Sequence, residues 1–311
     1  IADNFIVSNC GVRVLVTDLS TEEFLKKRSE FLEKIYKNVP CGVGKDGRVI
    51  LSNSELHEVL NKGSNWAVKE GYGTKKDLDK TEEYGNMKQA DSGFVSQKAL
   101  SRGVPQIGTL GSGNHFLEVQ KVDQIFDEKI AKIYGVKKDC IAVMLHCGSR
   151  GLGHQVASDY INSMEKKFGV KHLPDRQLIN APVHSDIGQE YFKAMCASAN
   201  FAFVNRQMIM HWARETFERV YGNIKVDLMY DIAHNICKLE KYKIDGTTKP
   251  LYVMRKGATR AFGPGHEELP EMYQKTGQPI LIPGSMGTAS YILAGTNEAD
   301  MVSFSSSAHG A

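Results

Sequence analysis

Gln106-Ile-Gly-Thr-Leu-Gly-Ser-Gly-Asn-His-Phe-Leu-Glu-Val-Gln120 is the stretch around which this chain is organised. Gly108, Gly111 and Gly113 keep the backbone bare and tolerant of positive φ, which suits close approach to a ligand. Asn114 and His115 follow at once, and the strand-like run Phe116 to Val119 carries Glu118 out of an apolar alternation. The result is a donor-rich turn ending in a metal-capable imidazole, with a carboxylate just beyond it. A tight turn before a strand, with a surface histidine, would use the same residues. Within this stretch the glycines match neither phosphate-binding fingerprint, because Gly108, Gly111 and Gly113 form no Gly-x-Gly-x-x-Gly and no Gly-Lys-Ser/Thr follows them.

Outward from this stretch, two further histidines sit at the ends of apolar runs. Ile141 to Leu145 reads as a buried strand delivering His146-Cys147-Gly148-Ser149-Arg150, and Val226 to Ile232 as another that ends at Ala233-His234-Asn235. Strand ends are where a fold converges side chains from distant sequence. Upstream, Gly11 to Val16 reads as a strand following Cys10, and a thiolate partners imidazoles at a borderline divalent ion such as Zn²⁺ or Mn²⁺. His309, in Ser-Ser-Ser-Ala-His, lies outside any apolar pattern, and a neutral imidazole there can act as a nucleophile on phosphorus. Lys256, Arg260 and Arg150 are candidate cationic clamps for phosphate, or simply solvated surface.

Capping boxes at Ser20–Glu23 and Ser52–Glu55 open helices, the first with Phe24, Leu25, Phe31, Leu32, Ile35 and Tyr36 at helical spacing, the second stopped by Gly63. Residues 64–103 are polar, with Trp66, Tyr72 and Tyr84 as anchors and a helix near Ser96 to Ser101. Helices are also expected at Val122 to Tyr134, Gly153 to Phe168 and Gln189 to Tyr221, the last apolar nearly all round and hence central. Lys238 to Ile244 and Pro250 to Arg255 flank Asp245-Gly246 as a hairpin. Lys256 to Pro270 reads as a loop, Pro279 to Ile282 and Tyr291 to Ala294 as the last strands. The expected fold is a single α/β (α+β) domain over 1–311, with mixed sheets surrounded by helices and no Rossmann-type doubly wound sheet.

The bulk properties fit that class. The 311 residues are 41% hydrophobic and 24% charged with a net charge of +3, which permits a nucleic-acid partner without a global basic field. No apolar run approaches a membrane span, and six cysteines without a repeating spacing point to free thiols in a reducing compartment.

Six motifs together resemble the RtcB-type RNA ligases. They are Gln106 to Glu118, His146-Cys-Gly-Ser-Arg-Gly-Leu-Gly-His-Gln155, Tyr230-Asp-Ile-Ala-His-Asn235, Arg255 to Phe262, Pro283-Gly-Ser-Met-Gly-Thr-Ala-Ser290 and Ala308-His-Gly-Ala311. The resemblance runs from Asn9 to the end and is closer to the eukaryotic and archaeal branch than to the bacterial one. It implies a ligase joining RNA 3′-phosphate or 2′,3′-cyclic phosphate ends to 5′-hydroxyl ends with GTP and two Mn²⁺ ions, as in tRNA splicing and RNA repair. By motif, Cys10 would bridge the ions, His146 and His234 would complete one shell and His115 the other. His309 would accept GMP. Glu118 and Ser290 would hold guanine, Ala311 would lie near the ribose, Asn114 and Asn235 would contact phosphate, and Arg150 and Lys256 would handle RNA or nucleotide phosphates. Implied partners are RNA, in the form of tRNA halves, and an activating protein of the archease type; the implied location is intracellular, cytoplasmic and/or nuclear. The rival readings are a metal-dependent phosphoesterase and a non-catalytic RNA-binding subunit.

Two departures stand out. The family carries an aspartate three residues before the metal cysteine, where this chain has Val7, so a short segment is expected to be absent between Ser8 and Asn9. The chain also opens on Ile1 and stops at Ala311, where the family continues with Gly-Arg and supplies a tyrosine and a terminal lysine to the guanine pocket. Material is therefore expected beyond both ends.

Overall fold

A computed structural model describes residues 9–170, 173–175, 178–285 and 287–310. Val7 and its departure from the family pattern, like Ala311, lie outside the described residues. The strands are β1 (Cys10–Ser20), β2 (Phe116–Lys121), β3 (Cys140–Gly148), β4 (Val226–Ala233), β5 (Asn235–Ile244), β6 (Thr247–Lys256), β7 (Ala258–Arg260), β8 (Pro279–Ile282), β9 (Tyr291–Ala294) and β10 (Ser306–Ala308). Four of them form a sheet in the order β2-β3-β1-β4, with every neighbouring pair antiparallel. The rest pair as β5-β6, β7-β10 and β8-β9. Helices with separate small sheets make this an α+β fold, and an antiparallel central sheet is incompatible with doubly wound topology.

Strand β1 is buried along almost its whole length and feeds a core on each face. Leu15 and Leu19, with Ile141, Val143 and Leu145, pack beneath Phe201, Val204, Met208 and Phe217 of the helix Asp186–Tyr221. Val12, Val14 and Val16, with Met144, Met229 and Ile232, form a second core that includes Leu281 of β8 and the partly buried Ile292 of β9. The long helix starts where the Ser185 hydroxyl accepts from Gly188 N, and its 36 residues extend about 54 Å. Among the described residues no helix is long and apolar enough to cross a membrane.

Three polar residues interrupt that helix at its most buried point. Arg206 donates to both carboxylate oxygens of Asp231 on β4, at 2.7 and 2.8 Å, and its Nη1 donates to the Cys147 carbonyl at 3.0 Å. Arg13 on β1 donates to the same carboxylate at 2.7 Å and to Gln207 Oε1 at 2.6 Å. One buried acid thus ties β1, β4 and the helix together. Gly11 is required beside it, because a Cβ there would come within 2.7 Å of the Arg206 guanidinium carbon.

Most expected elements are present, with five corrections. The first helical run breaks at Lys27 into Thr21–Lys26 and Arg28–Asn38, which buries Phe24, Phe31 and Ile35 but leaves Leu25, Leu32 and Tyr36 exposed. Tyr84 is exposed rather than an anchor. The helix expected from Val122 begins only at Glu128, capped by Asp127, because Val122 is still hydrogen-bonded to Cys140 and Asp139. The loop from Lys256 contains β7, and the tail forms the helix Glu298–Ser303 and β10, which pairs with β7.

Asp231→Asn leaves two buried guanidiniums facing a neutral amide, and we expect it to lower stability by about 3–5 kcal/mol in denaturant titrations. Burial alone would raise the Asp231 carboxyl, but the charges and hydrogen bonds of Arg206 and Arg13 outweigh it and hold the carboxyl below 3.8. Its contribution is therefore complete above the unfolded value and fades as pH falls through the depressed folded one. The acid limb of the stability curve should be shallower in the variant.

Candidate active site

The register of the central sheet brings the histidine strand ends together. Cys10 pairs with Gly148, Val12 with His146, Gly11 with Ala233 and Phe116 with His146. Cys10, His146 and Phe116 consequently share one face at one edge of the sheet. Cys10 Sγ lies 2.9 Å from His146 Nε2, and that nitrogen lies 3.1 Å from His234 Nε2. These three buried donors fall within 4.8 Å of one another, so they could hold a metal ion. Sulfur with two imidazoles suits a borderline divalent ion. His234 Nδ1 is buried without a partner, and Cys10 Sγ and His234 Nε2 converge on His146 Nε2. A cation fits that donor set better than a packed apolar core does.

On the other side of the sulfur, His115 Nε2 lies 3.4 Å from Cys10 Sγ. His115 Nδ1 donates to the Leu110 carbonyl at 3.1 Å, which fixes the tautomer and leaves Nε2 with its lone pair toward the sulfur. Burial, then repulsion from Arg150, pushes His115 down to about 4. Burial together with the neighbouring imidazoles His115 and His309 takes His146 to about 3, and burial with His309 and His146 holds His234 well below its ordinary value. All three rings are thereby neutral and available as ligands. The Cys10 thiol is pushed up to about 12 by burial and by Cys147, partly countered by Arg206, so a cation must supply the stabilisation for a thiolate.

His309 joins this group from the far end of the chain. β10 is held on β7, and His309 N donates to the Gly257 carbonyl at 3.1 Å. Its ring stacks on His234 with centroids 3.5 Å apart and planes 7° from parallel. Burial lowers His309 to about 4, and its Nδ1 is enclosed without a partner.

Residues 1–311 match the family model described as tRNA-splicing ligase RtcB. The chain belongs to the RtcB family. Curated relatives named tRNA-splicing ligase RtcB include those of Methanococcus maripaludis, 52% identical over 310 residues, and Thermococcus kodakarensis, 53% identical over 310 residues. Each alignment covers 97% of this chain and 64% of the relative. The relative from Pyrococcus furiosus is 52% identical over 319 residues, covering 100% of this chain and 33% of its own length. The chain thus spans less than two thirds of these relatives.

The other residues singled out in this RtcB-family chain fall around the same edge. Glu118 and Ser290, far apart in sequence, are linked by Gln120, whose Nε2 donates to Glu118 Oε2 at 2.9 Å and to Ser290 Oγ at 3.0 Å. Asn114 is exposed and its backbone hydrogen-bonds the His146 ring. Asn235 and Lys256 form the opening pair of the β5–β6 hairpin, with Asn235 Oδ1 accepting from Gly257 N at 3.2 Å and Lys256 exposed. Arg150 starts the helix Arg150–Phe168 at φ 55° and donates to Thr109 Oγ1 at 3.1 Å. Its guanidinium occupies the space a side chain at Gly111 would need. Arg260 is not a free clamp: it is buried and paired with Glu83 at 2.7 Å and Glu268 at 3.1 Å.

Sequence reading missed Gln120, Asn205 and Arg206. Asn205 Nδ2 donates to the Thr109 carbonyl at 3.0 Å and to Cys147 Sγ at 3.1 Å, which fixes the glycine turn to the histidine strand. The available signals were the period-two position of Gln120 relative to Glu118, and three consecutive polar residues in an apolar helix.

Cys10→Ala and His146→Ala should each weaken Mn²⁺ or Zn²⁺ binding by more than about 100-fold in titrations against a competing chelator. Cys140→Ala, at the opposite end of β3, should leave it unchanged.

Proposed function

We propose that this chain is the catalytic body of a GTP- and Mn²⁺-dependent ligase that joins RNA 3′-phosphate or 2′,3′-cyclic phosphate ends to 5′-hydroxyl ends, with tRNA halves as its RNA. The observation that carries this reading is the His309 ring, stacked at 3.5 Å on His234 beside the Cys10/His146/His234 group. The relatives are tRNA-splicing ligases by name, which supports the RNA substrate.

In this reading Cys10, His115, His146 and His234 would hold the Mn²⁺ ions. Mn²⁺ bound by these residues would supply positive charge against the phosphate oxygens. The chain's own contribution begins with His309. Its Nδ1 is buried, so Nε2 is the nitrogen open to substrate, and desolvation keeps it unprotonated at neutral pH. Stacking on His234 fixes the ring plane, which limits the reorientation needed before attack. The Nε2 lone pair forms a bond to the α-phosphorus of GTP as the bond to the bridging oxygen breaks, and pyrophosphate leaves with that electron pair. After hydrolysis of any cyclic phosphate, an oxygen of the RNA 3′-phosphate takes GMP from His309. The 5′-hydroxyl then attacks the activated phosphate, loses its proton and releases GMP.

The binding groups follow the same edge. Glu118 lies two residues along β2 from Phe116, about 7 Å further from His146, so base contacts and nucleophile are spaced on the scale of one nucleotide. Asn114, Asn235, Arg150 and Lys256 contact phosphates in this reading.

Incubation of the full-length protein with α-labelled GTP and Mn²⁺ tests this. An acid-labile GMP adduct is expected, and His309→Ala should reduce it at least about a thousand-fold. An adduct that survives in His309→Ala rejects the assigned nucleophile. Cleavage of phosphate esters with no adduct favours the phosphoesterase reading.

A further inference from the structure

We propose that Gln120 sets the guanine preference of this site, acting as a positioning residue through Glu118 and Ser290. The inference rests on the reading of those two residues as base contacts. Gln120 follows Glu118 by two positions on β2, so both project from the same face of the sheet as Phe116 and His146. Across β3 it faces Ala142, a small neighbour, and its Nε2 lies 4.0 Å from the Met144 sulfur.

The orientation of the amide follows from its partners. An ionised carboxylate only accepts hydrogen bonds, so the group facing Glu118 Oε2 at 2.9 Å must be Nε2–H. The other Nε2 hydrogen points to Ser290 Oγ at 3.0 Å. Ser290 Oγ also accepts from Gly284 N at 3.1 Å. Both lone pairs of that hydroxyl are then used, and the O–H is left to donate. One amide therefore fixes the polarity of both base contacts, with Glu118 as acceptor and Ser290 as donor.

That pattern matches guanine, whose N1–H and exocyclic amine present two adjacent donors beside acceptors on the ring. It opposes adenine, which offers an unprotonated N1 in the same place. Because Gln120 takes one oxygen of Glu118, it also orients the carboxylate for a two-point contact with the guanine donors. The two contact residues are 172 positions apart in sequence, one on β2 and the other in the turn just before β9, and this amide is a hydrogen-bonded link between their side chains. Loss of Gln120 would leave each free to turn, and the Ser290 hydroxyl free to accept.

The test compares GTP with ITP, which keeps N1–H but lacks the exocyclic amine, as substrates for adduct formation by the full-length protein. In Gln120→Leu we expect KM for GTP to rise about ten-fold, kcat for adduct formation to stay within about two-fold, and the GTP-to-ITP preference to collapse towards one. Gln120→Glu, which keeps the size but faces Glu118 with a like charge, should raise KM for GTP further. Thermal melts identify variants that fold. A folded Gln120→Leu protein that keeps the wild-type GTP-to-ITP ratio overturns the proposal while leaving the ligase reading intact. Failure of the wild-type protein to form an adduct overturns the ligase reading itself.

Discussion

The register of β1 between β3 and β4 is the constraint on which the site depends. Strand side chains alternate between faces, so a slip of one residue would carry Cys10 from the His146 face to the opposite one. Two features hold that register. Val12, Val14 and Val16 fit one core while Leu15 fits the other, and Arg13 reaches Asp231 on the neighbouring strand. Arg13 also sits directly opposite Asp231 in the ladder, so the ion pair and the strand pairing specify the same alignment. Chemistry at the edge of the sheet therefore inherits its precision from packing in the middle.

Charge is arranged with the same economy. The imidazoles at the site are desolvated and neutral, whereas the basic residues beneath them are tied to acids. Lys238 pairs with Glu82 at 2.6 Å, and the other oxygen of Glu82 accepts from Ala233 N, immediately before His234. Arg255 is fixed by Glu240 at 2.6 Å, and Arg260 by Glu83 and Glu268. Such pairs stabilise little beyond their own desolvation, but breaking one leaves an exposed cost in the interior. Their common effect is to hold β5, β6 and β7 in place around the histidines.

Much of this was legible in the sequence. Apolar runs locate β1, β3 and β4, and capping boxes locate the helices at Ser20 and Ser52, because those signals are local. Histidines closing apolar strands pointed to convergence. The pairing of β10 with β7 was not legible, since Ser-Ser-Ala carries no strand pattern and its partner lies 46 residues or more away. The role of Arg206 was equally hidden: it depends on which strands lie under the helix. Leu25, Leu32 and Tyr36 were misjudged because helical spacing marks a face without saying where the helix breaks.

The attachment of His309 has a kinetic corollary. β10 contributes three ladder positions, Ser306 to Ala308, and the helix before it buries none of its own side chains. Detaching this segment exposes little apolar surface, whereas separating β1 from its neighbours dismantles two cores. Parting β10 from β7 is therefore expected to cost less free energy than parting β1 from β3 and β4. Amides of Ser306 to Ala308 are therefore expected to exchange faster than those of β1, which would separate the mobility of His309 from the durability of the sheet that carries Cys10 and His146.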